Sequence, residues 1–266
     1  MEVRDPVRQL DPTRWRVRAT QVIDWLLPPT CLVCGQPGGS RSDLCPDCAR
    51  AMIVDRQACC RCALPLPNDE PLCGRCLRRA PAFDACHAAA RYAFPIDRLL
   101  PRFKFHGDLA AGRVLAHLLT ASLADHAAPQ ALIPVPLHPE RLRTRGYNQS
   151  LELARAVGRA RGVPVCVDGL RRLRATAAQS ELGAKARRRN VRNAFAAGTL
   201  AGLEHVALID DVMTTGATVE ECARTLKRAG IVRVDVWVVA RAEAFAPTIS
   251  RPAAAGTRMP DRGPDR

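Results

Sequence analysis

Eight cysteines in a 266-residue chain fall into two identical ladders. Cys31-x-x-Cys34 is followed, after ten residues, by Cys45-x-x-Cys48. Cys59-x-x-Cys62 is followed, again after ten, by Cys73-x-x-Cys76. The second ladder is the first moved by 28 positions, and Pro37 and Leu44 map onto Pro65 and Leu72. Such a duplication narrows the folds open to residues 30–80. Each C-x-x-C is a knuckle that presents two thiolates to one metal, and two knuckles make the tetrahedral sulfur site of structural zinc. Disulfides are the competing use, but they belong to oxidising compartments, and nothing in this chain suggests export. A redox C-x-x-C accompanies a βαβ pattern, which this region lacks. The expectation is therefore Zn²⁺, structural and up to two ions. The knuckles can pair in three ways; the sequential pairing is the simplest, and cross-braced or nested pairings stay open. A region of about 50 residues rich in Pro and Gly buries little core. Metal binding would supply its folding energy. Cys60, Cys86, Cys166 and Cys222 fall outside the ladders and read as ordinary small, mostly buried residues.

A second string carries chemistry. Val206-Ala-Leu-Ile209 is an apolar strand that runs into two adjacent carboxylates, Asp210 and Asp211. Val212-Met213-Thr214-Thr215-Gly216-Ala217-Thr218 follows, and a helical pattern then runs from Val219 to Arg228. Backbone N–H groups in such a loop and at the helix start attract a phosphate dianion. Gly216 lets the backbone approach closely, and threonine hydroxyls add hydrogen bonds. Two carboxylates at the carboxyl end of a strand can accept hydrogen bonds from vicinal ribose hydroxyls, at the edge where open α/β sheets bind ligands. An ordinary βα turn capped by Thr214 or Thr215 is the plain alternative.

The rest of the chain organises around these two segments. Residues 1–29 form an N-terminal segment with a short amphipathic helix over 15–27, stopped by Pro28-Pro29. The zinc region spans 30–80. Residues 83–94 read as strand, and 95–105 and 109–123 as helices. Strand 131–135, a polar loop, helix 149–161 and strand 163–167 follow. A long polar segment covers 168–190. Strand 205–209, helix 217–229 and strand 231–239 close a domain of residues 81–243. Alternating β and α elements imply an α/β fold with a mostly parallel sheet and helices on both faces. The tail 244–266 is rich in Pro, Arg and Gly and reads as disordered.

Net charge is +14, and 37 of the 40 basic residues are Arg. Arg suits bidentate phosphate contacts, and such a charge makes nucleic acid a partner class to weigh against a merely solvated surface. Only 4% of residues are aromatic, which argues against a large base-stacking platform. No apolar run approaches the roughly 18 residues of a membrane span. The first residues lack a secretory signal pattern, so a cytoplasmic location is expected.

Three further segments complete the picture. Ile133-Pro-Val135-Pro136-Leu137-His138 precedes Arg141-x-Arg143-x-Arg145-Gly146-Tyr147-Asn148-Gln149. Thr176 and Gln179 precede Arg188-x-Asn190-Val191, and Phe103-Lys104-Phe105-His106-Gly107 lies upstream. The Asp-Asp string resembles the motif with which type I phosphoribosyltransferases bind phosphoribosyl pyrophosphate (PRPP). Taken with the cysteine ladders, the five motifs resemble the ComF family, which holds competence protein FC and GntX relatives. The resemblance covers about residues 25–243. It implies a double zinc ribbon joined to a type I phosphoribosyltransferase-like domain. Asp210 and Asp211 would hold the ribose hydroxyls of PRPP, and the loop Val212 to Thr218 its 5′-phosphate. Val135, Pro136, Leu137 and His138 would face the pyrophosphate, with Arg141, Arg143, Arg145, Lys104 and Arg188 as candidate cationic contacts. Mg²⁺ would arrive with PRPP. Residues 179–189 would suit a covering loop.

The resemblance also implies single-stranded DNA handling during natural transformation, with PRPP or a nucleotide, single-stranded DNA and competence-machinery proteins as partners. An active phosphoribosyltransferase with an unidentified acceptor is the alternative. Thr214 stands where the purine-salvage branch carries an extra carboxylate, so no obvious general base is present and no catalytic residue is assigned.

Overall fold

The computed structural model describes residues 30–38, 43–52, 57–174, 189 and 191–242. The helix expected over 15–27, the tail 244–266, and nearly all of the expected covering loop lie outside the described residues.

Four strands form one parallel sheet: β1 (Ala85–Arg91), β2 (Ala131–Pro134), β5 (His205–Met213) and β6 (Arg233–Arg241), in the order β1-β6-β5-β2. Every pairing in the sheet is parallel. β2 is buried along its whole length, and β6 at all but its first residue, as strands covered on both faces must be. The hairpin is β3 (Leu170–Arg172) against β4 (Phe195–Ala197), antiparallel. The strand expected over 163–167 reduces to one parallel bridge, Leu132 with Val165. Pro164 lacks an N–H donor, and the chain leaves the edge at once for a 3₁₀ turn at Val167–Gly169.

The helices divide between the two faces. On one side lie α3 (Ile96–Phe105), α4 (Leu109–Ser122) and α6 (Gln149–Arg161). Their Leu99, Phe103, Leu115, Leu119, Leu153 and Val157 pack with Trp237 and Val239. On the other lies α7 (Ala217–Arg228), whose Val219, Cys222, Ala223 and Leu226 meet Val206, Leu208 and Val236. The Asp108 carboxylate caps α4 by accepting from Ala111 N at 3.0 Å, and Asn148 caps α6 by accepting from Ser150 N at 3.0 Å.

The cysteine region supplies α1 (Pro46–Arg50) and α2 (Gly74–Arg78), each starting just after the first Cys of a second knuckle. It shares the sheet's cores. Cys31, Leu44, Cys45 and Cys48 belong to the α3–α4–α6 side, while Cys59, Cys62, Cys73 and Cys76 belong to the α7 side. Arg102 carries this packing on by donating to the Leu32 carbonyl and to Asp108 at 2.8 Å.

Arg241, at the end of β6, is 2% exposed. Its guanidinium donates to the Cys62 carbonyl at 2.9 Å, to Met213 O at 2.8 Å, and to the carbonyls of Thr214 and Ala242. One side chain thus joins the second cysteine ladder to the loop after β5. We expect Arg241→Ala to strip the Cys62 carbonyl of its guanidinium donor in a buried setting, while Met213 O keeps Ala242 N at 3.0 Å, and to cost about 3 kcal/mol. Urea unfolding checks this; an unchanged midpoint would show that the clamp is dispensable.

Candidate functional site

β2 ends at Pro134, paired with Ile209, while β5 runs on to Met213 beside β6. Beyond Ile209, therefore, β5 has a neighbour on one side only. A cleft of about 420 Å³ opens at this end of the sheet. Asp210 and Asp211 lie on β5 at its floor, the loop Thr214–Thr218 forms one wall, and Val135, Pro136 and Leu137 form another. Asn148 fixes that second wall by donating from Nδ2 to Val135 O at 3.1 Å.

The acid pair is held asymmetrically. Asp211 is buried, and its Oδ1 lies 2.8 Å from Lys104 Nζ. Burial alone would lower the pKa of Lys104, but the charge and hydrogen bond of Asp211, with Asp210 behind it, outweigh this and raise it. Asp210 Oδ1 accepts from Ser150 Oγ at 3.0 Å and from Asp211 N at 2.9 Å. Burial first, and then the charge of Asp211, push the Asp210 carboxyl up to about 7, against Lys104 and these two hydrogen bonds.

Across from the acids stand Arg141 and Arg145 of α5 (Pro139–Arg145) and Arg172 of β3. Burial lowers the pKa of Arg145; Asp211 opposes this and Arg141 adds to it. Burial also lowers that of Arg172, and Arg141 contributes again. Arg141 thus repels both Arg145 and Arg172, and an anion with several charges would offset that repulsion. Arg145 is positioned by donating to Gln149 Oε1 at 3.1 Å and by lying 5.1 Å over the exposed Phe105 ring.

Gly216 has φ +77°, and a Cβ there would come within 2.8 Å of Met213 Cε. Gly216, Ala217 and Thr218 bring the first turn of α7 to the cleft, where its backbone donors lack intrahelical partners. Thr215 Oγ1 accepts from Ala217 N at 3.4 Å.

The structure gathers Lys104, Val135, Pro136, Leu137, Arg141, Arg145 and all of Asp210 to Thr218 around one cleft. It does not place His138 or Arg143 in the lining. His138 instead caps α5, its Nδ1 3.4 Å from Glu140 N, and Arg143 is exposed. Arg188 lies outside the described residues. Arg172 and Ser150 also line the cleft without standing in any of the motifs, and Gln149, the last residue of the Arg-x-Arg-x-Arg motif, lines it without having been given a role. Arg172 sat in a stretch read as polar connector; Gln149 and Ser150 carried a weak signal, since they follow the Asn148 cap.

The cysteines group as the sequential pairing has them: Cys31, Cys34, Cys45 and Cys48 in one tetrad, and Cys59, Cys62, Cys73 and Cys76 in the other. Within each, the sulfurs lie within 4.8 Å of one another. Cys34 and Cys45 sulfurs are 3.6 Å apart, as are those of Cys62 and Cys73. A tetrahedral zinc with bonds of about 2.3 Å sets its sulfurs about 3.8 Å apart, so the donor sets fit the ion. Of the other cysteines, Cys86 and Cys222 are buried as expected, Cys166 is half-buried, and Cys60 is exposed.

An α/β protein with a parallel sheet, a cleft at its crevice end and an N-terminal double zinc ribbon is the class so defined. Residues 22–77 match the family model described as double zinc ribbon domain. The chain is 34% identical to "Competence protein F" of Haemophilus influenzae over 212 residues, 76% of this chain and 92% of that one. It is 34% identical to "DNA utilization protein YhgH" of Escherichia coli K12 over 223 residues, 81% and 98% of the two chains. Similarity to "Competence protein ComFC" of Streptococcus pneumoniae is 30% over 140 residues, 53% of this chain and 60% of that one. The chain belongs to the ComF family. Among the described residues, no helix is long and apolar enough to cross a membrane.

Two outcomes follow from these sites. Metal analysis should find zinc at two ions per chain, falling to one in Cys62→Ser, with loss of thermal stability because that tetrad lies in the α7-side core. Full zinc content in that variant would break the tetrad assignment. For Asp210, the folded chain keeps a proton between the ordinary carboxylate range and pH 7 that the unfolded chain has lost. Stability therefore falls as pH rises through that window. Asp210→Asn should melt a few degrees above wild type at pH 8, at roughly 2–4 °C per kcal/mol, and the gap should close below about pH 4. A gap independent of pH would refute the raised carboxyl.

Proposed function

We propose that the cleft binds PRPP or a related nucleotide, and that the protein acts in handling single-stranded DNA during natural transformation or DNA uptake. One observation carries the first part: an acid pair and three guanidinium groups, those of Arg141, Arg145 and Arg172, line one cleft walled by a glycine-threonine helix start. The acids suit vicinal hydroxyls, the helix start suits a monophosphate, and the guanidinium cluster suits a pyrophosphate. Among the described residues, the cleft's carboxylates are Asp210 and Asp211, and Asp211 already engages Lys104. This is too few free oxygens for a dedicated cation cage, so Mg²⁺ would enter on the pyrophosphate and add charge neutralisation there. The names of the relatives, competence protein and DNA utilization protein, support the second part.

Calorimetry with PRPP and Mg²⁺ tests the site. Asp210→Asn with Asp211→Asn should weaken binding at least a hundredfold, and Arg145→Ala about tenfold, with the circular dichroism unchanged. Unchanged affinity in the double variant would refute the assignment. Pyrophosphate release with any base or oligonucleotide would make the protein a phosphoribosyltransferase; binding without release fits a nucleotide-gated binding protein.

A further inference from the structure

A second groove, of about 500 Å³, lies on the far side of the same loop. Its walls are α2 of the second ribbon with the residues just after it, one side of α7 along its length, and the short segment before β4. Thr215, Gly216 and Ala217 line both this groove and the first cleft. Six arginines line it: Arg75, Arg79, Arg189, Arg192, Arg224 and Arg228. Two carboxylates, Glu220 and Glu221, lie among them, and both are engaged by Arg224, at 2.6 and 2.7 Å. Glu220 also accepts from Ala82 N at 2.9 Å, and Glu221 from Asn193 N at 2.9 Å. The carboxylates are thus tied into the scaffold, and the groove as a whole stays strongly positive. Arg79, Arg192 and Arg228 stand exposed along it.

We propose that this ribbon–α7 groove is the track for the sugar-phosphate backbone of single-stranded DNA. The proposal rests on the reading that the protein handles single strands, and adds where they lie. Charge spread along a groove, with no large exposed apolar side chain in its lining, matches a repeating anion better than an acidic peptide, which needs apolar anchors. The groove's small volume suits one strand; a double helix could touch only its rim. Binding there is independent of sequence, because guanidinium groups meet phosphates and not base edges. The shared loop puts the track next to the phosphate wall of the first cleft. Arg75 strengthens that link by donating to Thr215 O at 3.3 Å.

The experiment uses full-length, zinc-loaded protein and a fluorescent thirty-residue oligothymidine, followed by anisotropy across a salt series. Arg79→Ala with Arg192→Ala and Arg228→Ala should weaken binding at least tenfold at moderate salt. It should also flatten the slope of log affinity against log salt by about 2, at roughly 0.7 per phosphate contact. The corresponding triple Lys variant keeps the charge and should bind within threefold of wild type. PRPP affinity should be unchanged in both, which shows that neither has lost its fold. Unchanged oligonucleotide affinity and slope in the Ala variant overturn the track alone. A wild-type protein that binds no oligothymidine overturns the single-strand reading and the track together. Equal loss of affinity for a blunt hairpin duplex overturns the assignment to a single strand.

Discussion

The molecule turns on one buried guanidinium. Arg241 sits at the end of β6, and four carbonyls converge on it, from Cys62, Met213, Thr214 and Ala242. A charge so enclosed is tolerable only because it is hydrogen-bonded all round. Its partners come from the second ribbon, from the last residue of β5, from the loop beyond and from the chain's own exit. The position of the Thr214–Thr218 loop is therefore set from two directions at once. Arg75 repeats the device on the neighbouring carbonyl, Thr215 O. The ribbon braces this loop by contacts to main-chain oxygens.

The electrostatics of the cleft follow from an imbalance that is maintained on purpose by burial. Lys104 settles one carboxylate, Asp211. Asp210 stays with a proton affinity near neutrality, and Arg141 pushes against both Arg145 and Arg172. Each of these is a cost to the fold, and under the proposed function it would be a source of differential binding for a polyhydroxylated, multiply charged ligand. Stability and binding thus pull on the same residues in opposite directions.

Much of this was legible in the chain, for reasons that differ from segment to segment. The cysteine ladders named the eight sulfurs, because a C-x-x-C knuckle presents two thiolates to one ion, but their spacing left three pairings open, and the structure selects the sequential one. The Val206–Ile209 run marked β5 because a fully buried strand is continuously apolar, and Gly216 marked the turn because its φ is positive. Helix α5 was read as loop: none of its residues is buried, so no apolar period betrays it. Its signals were Pro139 at the first turn and Gly146 at φ +79° after the last. β3 and β4 are three residues each, too short to show alternation, and Arg172 was missed with them. His138 looked like a ligand group because it followed the β2 wall, but the neighbouring α5 start uses its ring as a cap.

The division of the two sulfur tetrads between opposite cores has an evolutionary corollary. Each ribbon half supplies apolar cover to a different side of the sheet, Leu44 on one and Phe83's neighbours Cys59 and Cys76 on the other. A gene fragment carrying the sheet without the ladders would inherit two raw hydrophobic seams, not one removable appendage. The ribbons and the sheet are thus one packing unit, with burial on both faces that neither part supplies by itself.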